Sequence, residues 1–321
     1  MFPRRQRLVF LKLLSLFSVV RGYNIPIVML AQYLSAIFIL APAHTRALSV
    51  ILDPSMFLLV LASSLAIASG YIINNFYDLK KDYINRPYKF NLDRWVSQKT
   101  KFYIYFSING VVLLLAWIVS YRAALFFSGY MFLLWFYSHK LKKYPIVGNL
   151  IAVFLAILPF FALLLYYKNL EWKIIGHAVF LYLLLLIREM IKDLENLQGD
   201  LAANYQTLPV RFGEIWSKRL ITVITLLTLL PIYFLVEYCD VGLMELYLYG
   251  SIMVLLLVLW GLWEAKSRRN YNMMHNMLKF LLLAGVCCIP LINPKVLVHG
   301  KKVIENYEKK ALSSVQMGHS I

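Results

Sequence analysis

Charge is scarce in this sequence, and acid is scarcer than base. Only 15% of residues are charged and 61% are hydrophobic, whereas a soluble domain is about a quarter charged and about half apolar. Asp and Glu number 16 against 33 Lys and Arg, a formal net charge of +17. The bases fall in short clusters between apolar runs. No basic folded domain is left over to meet a nucleic acid, and that class of partner is excluded. Cysteine is limited to Cys239, Cys287 and Cys288, with no C-x-x-C and no Cys/His ligand spacing. Neither a disulfide framework nor a zinc site is indicated. The six histidines form no i, i+4 pair, and no Pro/Gly/Ser linker or low-complexity tract interrupts the chain.

What the sequence has in abundance is long apolar runs. A transmembrane helix needs about 20 largely apolar residues. Nine segments qualify: 23–41, 55–74, 102–120, 123–137, 147–167, 173–192, 219–237, 243–264 and 276–293. The third and fourth meet at Tyr121-Arg122, and one helix spanning both would be nearly twice the length of a bilayer core. The expected fold is all-α, a polytopic membrane protein formed as a single transmembrane domain over residues 1–321. The N-terminus resembles a signal peptide, but Arg21 and Asn24 interrupt an apolar stretch already too long for one. An uncleaved basic segment, 1–20, is expected instead.

Charge sets the orientation. Arg4, Arg5, Arg7 and Lys12 precede the first span, and the connection 75–101 carries Lys80, Lys81, Arg86, Lys89, Arg94, Lys99 and Lys101. Lys140, Lys142 and Lys143, then Arg211, Lys218 and Arg219, then Lys266, Arg268 and Arg269 mark the later even connections. The odd connections are short and poor in base. The positive-inside rule places the N-terminus and even loops in the cytoplasm. The polar tail 295–321 breaks the pattern. Nine spans put it outside, yet it carries Lys295, Lys301, Lys302, Lys309 and Lys310.

Two acidic motifs stand out against this background. In SGYIINNFYDLKKDYINRP, Asn74, Asp78 and Asp82 recur every four residues. Each step of four advances about 40° around a helix and about 6 Å along it, so the three form one stripe. Pro87 then disfavours continuation of the helix. In LLLLIREMIKDLENLQGDLAANYQTLPVRFG, Glu189, Asp193, Asn196 and Asp200 lie at i, i+4, i+7 and i+11. They share a sector of roughly 60° on an ideal helix, and Gly199 is the expected breaking point before Asp200.

A single D-x-x-x-D at a helix end is most often a solvated face. Two oxygen-rich stripes at matched depth, one including ionisable groups near the end of a span, point to a cavity or a partner instead. Facing carboxylates repel unless a cation sits between them. Oxygen-only ligation suits Mg²⁺, which is bound through a few carboxylates plus substrate phosphates. A diphosphate bridging two metal-loaded stripes fits, with Lys80, Lys81, Arg86, Arg188 and Lys192 available for the remaining phosphate oxygens. The surrounding helices would sheath a hydrocarbon tail and shield a reactive cation from water.

At these residues the sequence resembles the UbiA superfamily of intramembrane prenyltransferases. NNFYDLKKDYINRP is similar to the family's first motif and REMIKDLENLQGD to its second. Smaller likenesses are Arg21 and Asn24 at the first span, YSHKLKKYPIVGN at 137–149 and TLPVRFG at 207–213. The resemblance implies nine transmembrane helices around a central cavity, with both motifs at its cytoplasmic mouth. It implies that Asn74, Asp78 and Asp82 ligate one Mg²⁺ and that Asp193, Asn196 and Asp200 serve a second, with Glu189 at the head of that stripe. Asp78, Asp82, Asp193 and Asp200 are then the catalytic acids, and Lys142 and Lys143 help seat the diphosphate. Asn196 stands where many relatives carry an acid, which lowers the charge there. Glu189 and Asp193 are both candidates for the general base.

The order R-E-x-x-K-D-x-E-N-x-x-G-D is similar to the branch that prenylates geranylgeranylglyceryl phosphate, an ether-lipid step. Arg188 and Lys192 would meet the acceptor's phosphate. The expected partners are therefore a polyprenyl diphosphate donor, a lipophilic acceptor and the bilayer. The alternative within the family is an aromatic acceptor: 4-hydroxybenzoate, dihydroxynaphthoate or homogentisate. Outside it, an ion-coupled membrane carrier and a non-catalytic lipid-binding protein compete. Carrier sites usually lie near the bilayer midplane, whereas these acids cluster at one face.

Overall fold

The computed structural model describes residues 4–42 and 45–294. The basic tail 295–321 lies outside them. Every regular element among the described residues is helical. In chain order they are α1 (Arg4–Val19), α2 (Ile25–Leu40), α3 (Ala47–Ile51), α4 (Pro54–Tyr77), α5 (Leu79–Asn85), α6 (Pro87–Asp93), α7 (Gln98–Val119) and α8 (Tyr121–His139). Then follow α9 (Val147–Tyr167), α10 (Trp172–Glu195), α11 (Leu197–Ala202), α12 (Leu208–Phe212), α13 (Glu214–Leu227), α14 (Leu229–Tyr238), α15 (Glu245–Glu264) and α16 (Arg268–Cys288).

Among the described residues, seven helical segments are long and apolar enough to cross a membrane: α4, α7, α9, α10, the pair α13–α14, α15 with its lead-in turn, and α16 with its trailing turn. This is an integral, multi-pass membrane protein. The other two expected spans are helices that fall short of that measure. α2 is a shorter apolar helix. α8 has 19 residues but interrupts its apolar run with Arg122, Ser128, Ser138 and the tyrosines 121, 130 and 137. The ninth span begins earlier than expected, at Arg268 rather than residue 276.

Local chemistry explains where helices start and stop. Asp53 caps α4 by accepting from Ser55 N at 2.9 Å, with Pro54 in the first turn, where its missing N–H costs nothing. Ser120, fully extended at φ −173°, separates α7 from α8 and caps the latter through Ala123 N at 3.1 Å. Pro159 lies inside α9 and cannot donate to Leu155 O. The Tyr130 hydroxyl donates to that carbonyl instead, at 3.2 Å, from α8.

Two large apolar cores form beside a smaller cluster of Val19, Ile72, Ile73 and Tyr105. One joins α2, α4, α7, α8 and α9, and the other joins α10 and α13 to α16. Large side chains that face outward, such as Trp117 at 67% exposure and Phe280 at 73%, suit a lipid environment. The short helix α5 from the first half packs on α11 from the second. That contact brings the two acidic motifs to one end of the bundle.

Candidate active site

The first motif straddles a helix break. α4 ends at Tyr77, Asp78 leaves helical geometry at ψ 9°, and α5 resumes at Leu79. Asp78 N still donates to Asn74 O at 3.0 Å, and Asp82 N to Asp78 O at 2.8 Å. The four-residue pitch survives the break, and with it the stripe. Pro87 does end α5, and then opens α6 as its first residue.

The second motif is built the same way. α10 ends at Glu195, Asn196 takes ψ 10°, and α11 resumes at Leu197. Asn196 N donates to Lys192 O at 3.0 Å and Asp200 N to Asn196 O at 3.1 Å. The break therefore falls at Asn196 and not at Gly199, which is inside α11. Gly199 is needed for proximity. A Cβ there would stand 2.2 Å from Asn85 Nδ2, at the contact between α5 and α11. Asn85 closes that contact by donating to Asn196 O at 3.2 Å, and Arg268 donates to Asn85 O at 2.5 Å.

Lysines sit among the carboxylates. Lys142 Nζ lies 2.6 Å from Asp78 Oδ1 and 3.0 Å from Asn74 Oδ1. Asn74 Nδ2 donates to Asp78 Oδ2 at 2.8 Å, and the Tyr205 hydroxyl donates to Asp78 Oδ1 at 3.0 Å. Lys81 forms an ion pair with the fully buried Asp200, which also accepts from Thr207 Oγ1 at 3.3 Å. Asp193 accepts from Asn149 Nδ2 at 2.7 Å.

Burial pushes the Asp78 carboxyl up, but the charges of Lys142 and Lys81 and two hydrogen bonds outweigh it and hold the group below its usual range. Burial would depress Lys81; Asp200, Asp78 and Asp193 around it raise it overall. Lys81 is thus the common counter-charge of both motifs. Asp82 is pushed up, first by burial and then by the neighbouring Asp78.

The remaining expected residues divide. Glu189 pairs with Arg188 at 3.2 Å and Lys192 at 2.6 Å. Asn196 is buried, and its side-chain amide donates to Lys192 O at 2.8 Å. Lys143 is exposed, with its ammonium 5.8 Å from the Tyr205 ring. Lys80 is exposed, and Arg86 lies at the turn between α5 and α6. Arg21 takes a left-handed φ of 48° between α1 and α2, its guanidinium 4.9 Å from the Tyr71 ring. Asn24 precedes α2 without capping it through its side chain. Among the described residues, no three His, Cys, Asp or Glu side chains come close enough together to hold a metal.

Tyr205 is the main addition. It lies two residues before TLPVRFG, and its ring is 5.4 Å from Lys81 Nζ and 5.6 Å from Lys142 Nζ. Asn149 closes YSHKLKKYPIVGN, and Asn85 lies near the end of NNFYDLKKDYINRP. Each sits in a segment the sequence marks, but its partner is remote in the chain.

Residues 29–286 match the sequence model of the UbiA prenyltransferase family. The chain belongs to this family. Among its relatives, the digeranylgeranylglyceryl phosphate synthase of Thermococcus sibiricus is 32% identical over 167 residues, covering 50% of this chain and 57% of that protein. The chain thus spans little more than half the length of that relative in the match. The Methanopyrus kandleri protein of the same name is 29% identical over 72% of this chain and 88% of its own length. The fold matches a solved digeranylgeranylglyceryl phosphate synthase structure with TM-score 0.65 and 18% identity, covering 88% of this chain and 98% of that one. It also matches a UbiA homologue from Archaeoglobus fulgidus bound to GPP and Mg²⁺, with TM-score 0.64 and 13% identity, covering 86% and 99%.

Proposed function

We propose that this chain catalyses magnesium-dependent transfer of an isoprenyl group from a polyprenyl diphosphate to a lipophilic acceptor, with geranylgeranylglyceryl phosphate as the acceptor. The observation that carries the reading is that two oxygen-rich stripes, from separate halves of the bundle, come to one end of it and each meets a lysine ammonium. Asn74 Oδ1 and Asp78 Oδ1 converge on one ammonium at 3.0 and 2.6 Å, and Asp200 meets a second. These ammonium groups stand where a cation is wanted.

The donor set fits magnesium. It is all oxygen, it is split between two helix breaks, and it is too sparse to form a cage. Mg²⁺ is characteristically held by one or two carboxylates with water and substrate phosphates completing the shell. Asn74, Asp78 and Asp82 would hold one ion, and Asp193, Asn196 and Asp200 the other. Asn196 offers only a neutral oxygen, so the second site is the weaker one. Magnesium held by these residues would supply charge to neutralise the departing diphosphate.

The chain's own residues supply the rest. Lys81, Lys142 and Lys143 bring positive charge to the phosphate oxygens. The apolar helices exclude water from the allylic cation. Tyr205 holds Asp78 in place. The positive-inside pattern supports a cytoplasmic location for this end of the bundle, and the run of apolar segments without a linker supports reading residues 1–321 as one domain. The names borne by the relatives, together with the second motif, support the ether-lipid acceptor over an aromatic one.

The test is a transfer assay on the purified chain with geranylgeranyl diphosphate and Mg²⁺. Glyceryl ether phosphate, 4-hydroxybenzoate and dihydroxynaphthoate are offered together, with EDTA as control. A magnesium-dependent product from the glyceryl phosphate is expected. A product from an aromatic acceptor alone would move the chain to another branch. Full activity in folded, membrane-inserted Asp78→Ala and Asp193→Ala variants would refute the proposal.

A further inference from the structure

The N-terminal helix α1 turns an apolar face away from the protein. It packs on α6 and α4, yet Val9, Phe10, Leu13 and Phe17 are 53–61% exposed. At about 100° per residue, the four share a sector of about 100°. A basic helix with an outward apolar face lies in the membrane interface. A groove of about 350 Å³ runs between α1 and the start of α7. Leu13 and Leu16 of α1 and Ile104 of α7 make it apolar, Lys12, Ser97 and Thr100 are its polar groups, and Trp95 completes the wall. Val9 belongs both to the groove and to the outward face, so the two surfaces are continuous.

The wall opposite α1 is braced. Trp95 and Ser97 closely follow Asp93, the last residue of α6. Asp93 is buried and accepts from Asn75 Nδ2 of α4 at 3.0 Å. Lys101, buried on α7, donates to Asn75 Oδ1 at 3.0 Å. The groove is thus formed between fixed elements.

Charge around it is one-sided. α1, α4, α6 and α7 contain a single acid between them, Asp93, and residues 1–52 and 94–170 contain no Asp or Glu at all. Lys89 pairs with Asp93. The nearest acids beyond these helices are matched too: Asp78 by Lys142, and Asp82 by Arg86 and Arg21. Arg7, Lys12, Arg94 and Lys99 are left over, all exposed. A donor is also left over. Ser97 Oγ lies 2.8 Å from Thr100 Oγ1 and accepts from Thr100 N at 3.1 Å. The two hydroxyls carry two O–H donors, and their mutual bond uses one.

We propose that this groove binds an anionic phospholipid of the surrounding bilayer. Its phosphodiester sits on Lys12 and the spare hydroxyl of the Ser97–Thr100 pair, and the start of one hydrocarbon chain lies along Leu13, Leu16 and Ile104. The site is independent of the prenyl-transfer reading and requires only a membrane.

The chemistry of the lining selects this occupant. The volume is at the small end of ligand pockets, enough for a headgroup and the first part of a chain. The rest of the lipid continues over the outward face of α1. Trp95 suits the headgroup level, where tryptophan is enriched. A free phosphate would leave the apolar lining in water. A zwitterionic headgroup would bring its own ammonium beside Lys12, with Arg94 and Lys99 flanking the lining residues in sequence, and like charges repel. An anionic headgroup meets only attraction there.

The experiment uses the full chain in nanodiscs of phosphatidylcholine containing a rising fraction of phosphatidylglycerol. Native mass spectrometry of the released protein counts retained lipid, and melting temperature is followed in parallel. Lys12→Gln removes the charge, Lys12→Arg keeps it, and Leu13→Trp fills the groove. Lys266→Gln removes an exposed base elsewhere. Melting in pure phosphatidylcholine is the check on folding. Wild type is expected to retain phosphatidylglycerol over phosphatidylcholine and to melt higher as its fraction rises. Lys12→Gln should lower that preference about fivefold, the scale of one charge at a lipid surface. Leu13→Trp should lower it as well, while Lys12→Arg and Lys266→Gln preserve it. Should Lys12→Gln melt low even in pure phosphatidylcholine, Leu13→Trp decides by the same criterion.

No preference for phosphatidylglycerol in wild type would overturn the site. So would an equal loss in Lys266→Gln, which is the response of diffuse positive charge. Displacement of the lipid by inorganic phosphate would mark a plain anion site and count against a phospholipid. A lipid-free dimer of wild type, broken by Leu13→Trp, would place a second copy of the chain in the groove and also refute the proposal.

Discussion

Lys142 Nζ lies 2.6 Å from Asp78 Oδ1 across 64 residues of sequence, and the two side chains are only 6% and 13% exposed. This pair ties the connection after α8 to the break after α4. Neither group is held there by local sequence. Each is a buried charge that depends on the other.

Breaking such a pair from one side leaves an uncompensated charge, at a cost of roughly 3–5 kcal/mol. Lys142→Met is therefore expected to lower stability by about 3 kcal/mol. The Asp78→Asn/Lys142→Met double variant should recover much of that loss, because no buried charge is left alone. Thermal unfolding in detergent, with the four proteins as a double-mutant cycle, measures the coupling. Additive effects would mean that the two side chains are not paired.

Tyr205→Phe removes one hydrogen bond to Asp78 and little else. Hydrogen bonds to charged groups contribute about 1.5–3 kcal/mol, so a tenfold or greater fall in transfer rate is expected if Tyr205 orients Asp78. The Mg²⁺ concentration giving half-maximal rate should rise with it. A change in rate without any change in metal dependence would place Tyr205 elsewhere in the reaction.

The pH dependence of stability follows from Asp78 and Lys81. Asp78 is held low when folded. Its contribution is present above the unfolded value of about 3.9 and is lost as pH falls through the folded value. Lys81 is held high. Its contribution is present below the unfolded value of about 10.4 and is lost as pH rises through the folded value. Melting temperature in EDTA should therefore fall at the acid and alkaline extremes through these two groups, while Asp82, which is pushed up, adds a separate decline as pH rises just above the usual carboxylate range. Lys81→Met should be less stable at neutral pH and lose the part of the alkaline fall that Lys81 causes.

The parts that were legible in the sequence share one property: they repeat along a helix. Asn74, Asp78 and Asp82 were visible as a stripe because helical pitch is a local rule, and it holds even through the break at Asp78. The long apolar runs were visible for the same reason. The role of Tyr205 was not, because its partner Asp78 is 127 residues away and no period links them. By sequence alone Gly199 is a natural helix breaker, because glycine often is one. Its neighbour across the bundle, Asn85, explains it better, and that neighbour appears only once α5 and α11 are packed.

That last contact makes a sharp prediction. A methyl group at residue 199 would meet Asn85 Nδ2 at 2.2 Å and Asn85 Cγ at 2.5 Å. Asn85 is a short side chain held by Asn196 O, and its own carbonyl is held by Arg268, so it cannot swing aside without losing a bond. Gly199→Ala must then push α11 away from α5 and separate the two motifs. Overpacking of this kind costs roughly 1–3 kcal/mol. Catalysis should suffer more than stability, because Lys81 on α5 must still reach Asp200 on α11. A tenfold or larger drop in transfer is expected, together with weaker Mg²⁺-dependent donor binding. Removing the obstruction distinguishes this account from a plain loss of helix flexibility. Asn85→Ala/Gly199→Ala should be more active than Gly199→Ala alone, although Asn85→Ala by itself is harmful. If the second substitution only deepens the defect, the methyl group is not acting through Asn85, and the requirement for glycine has another origin.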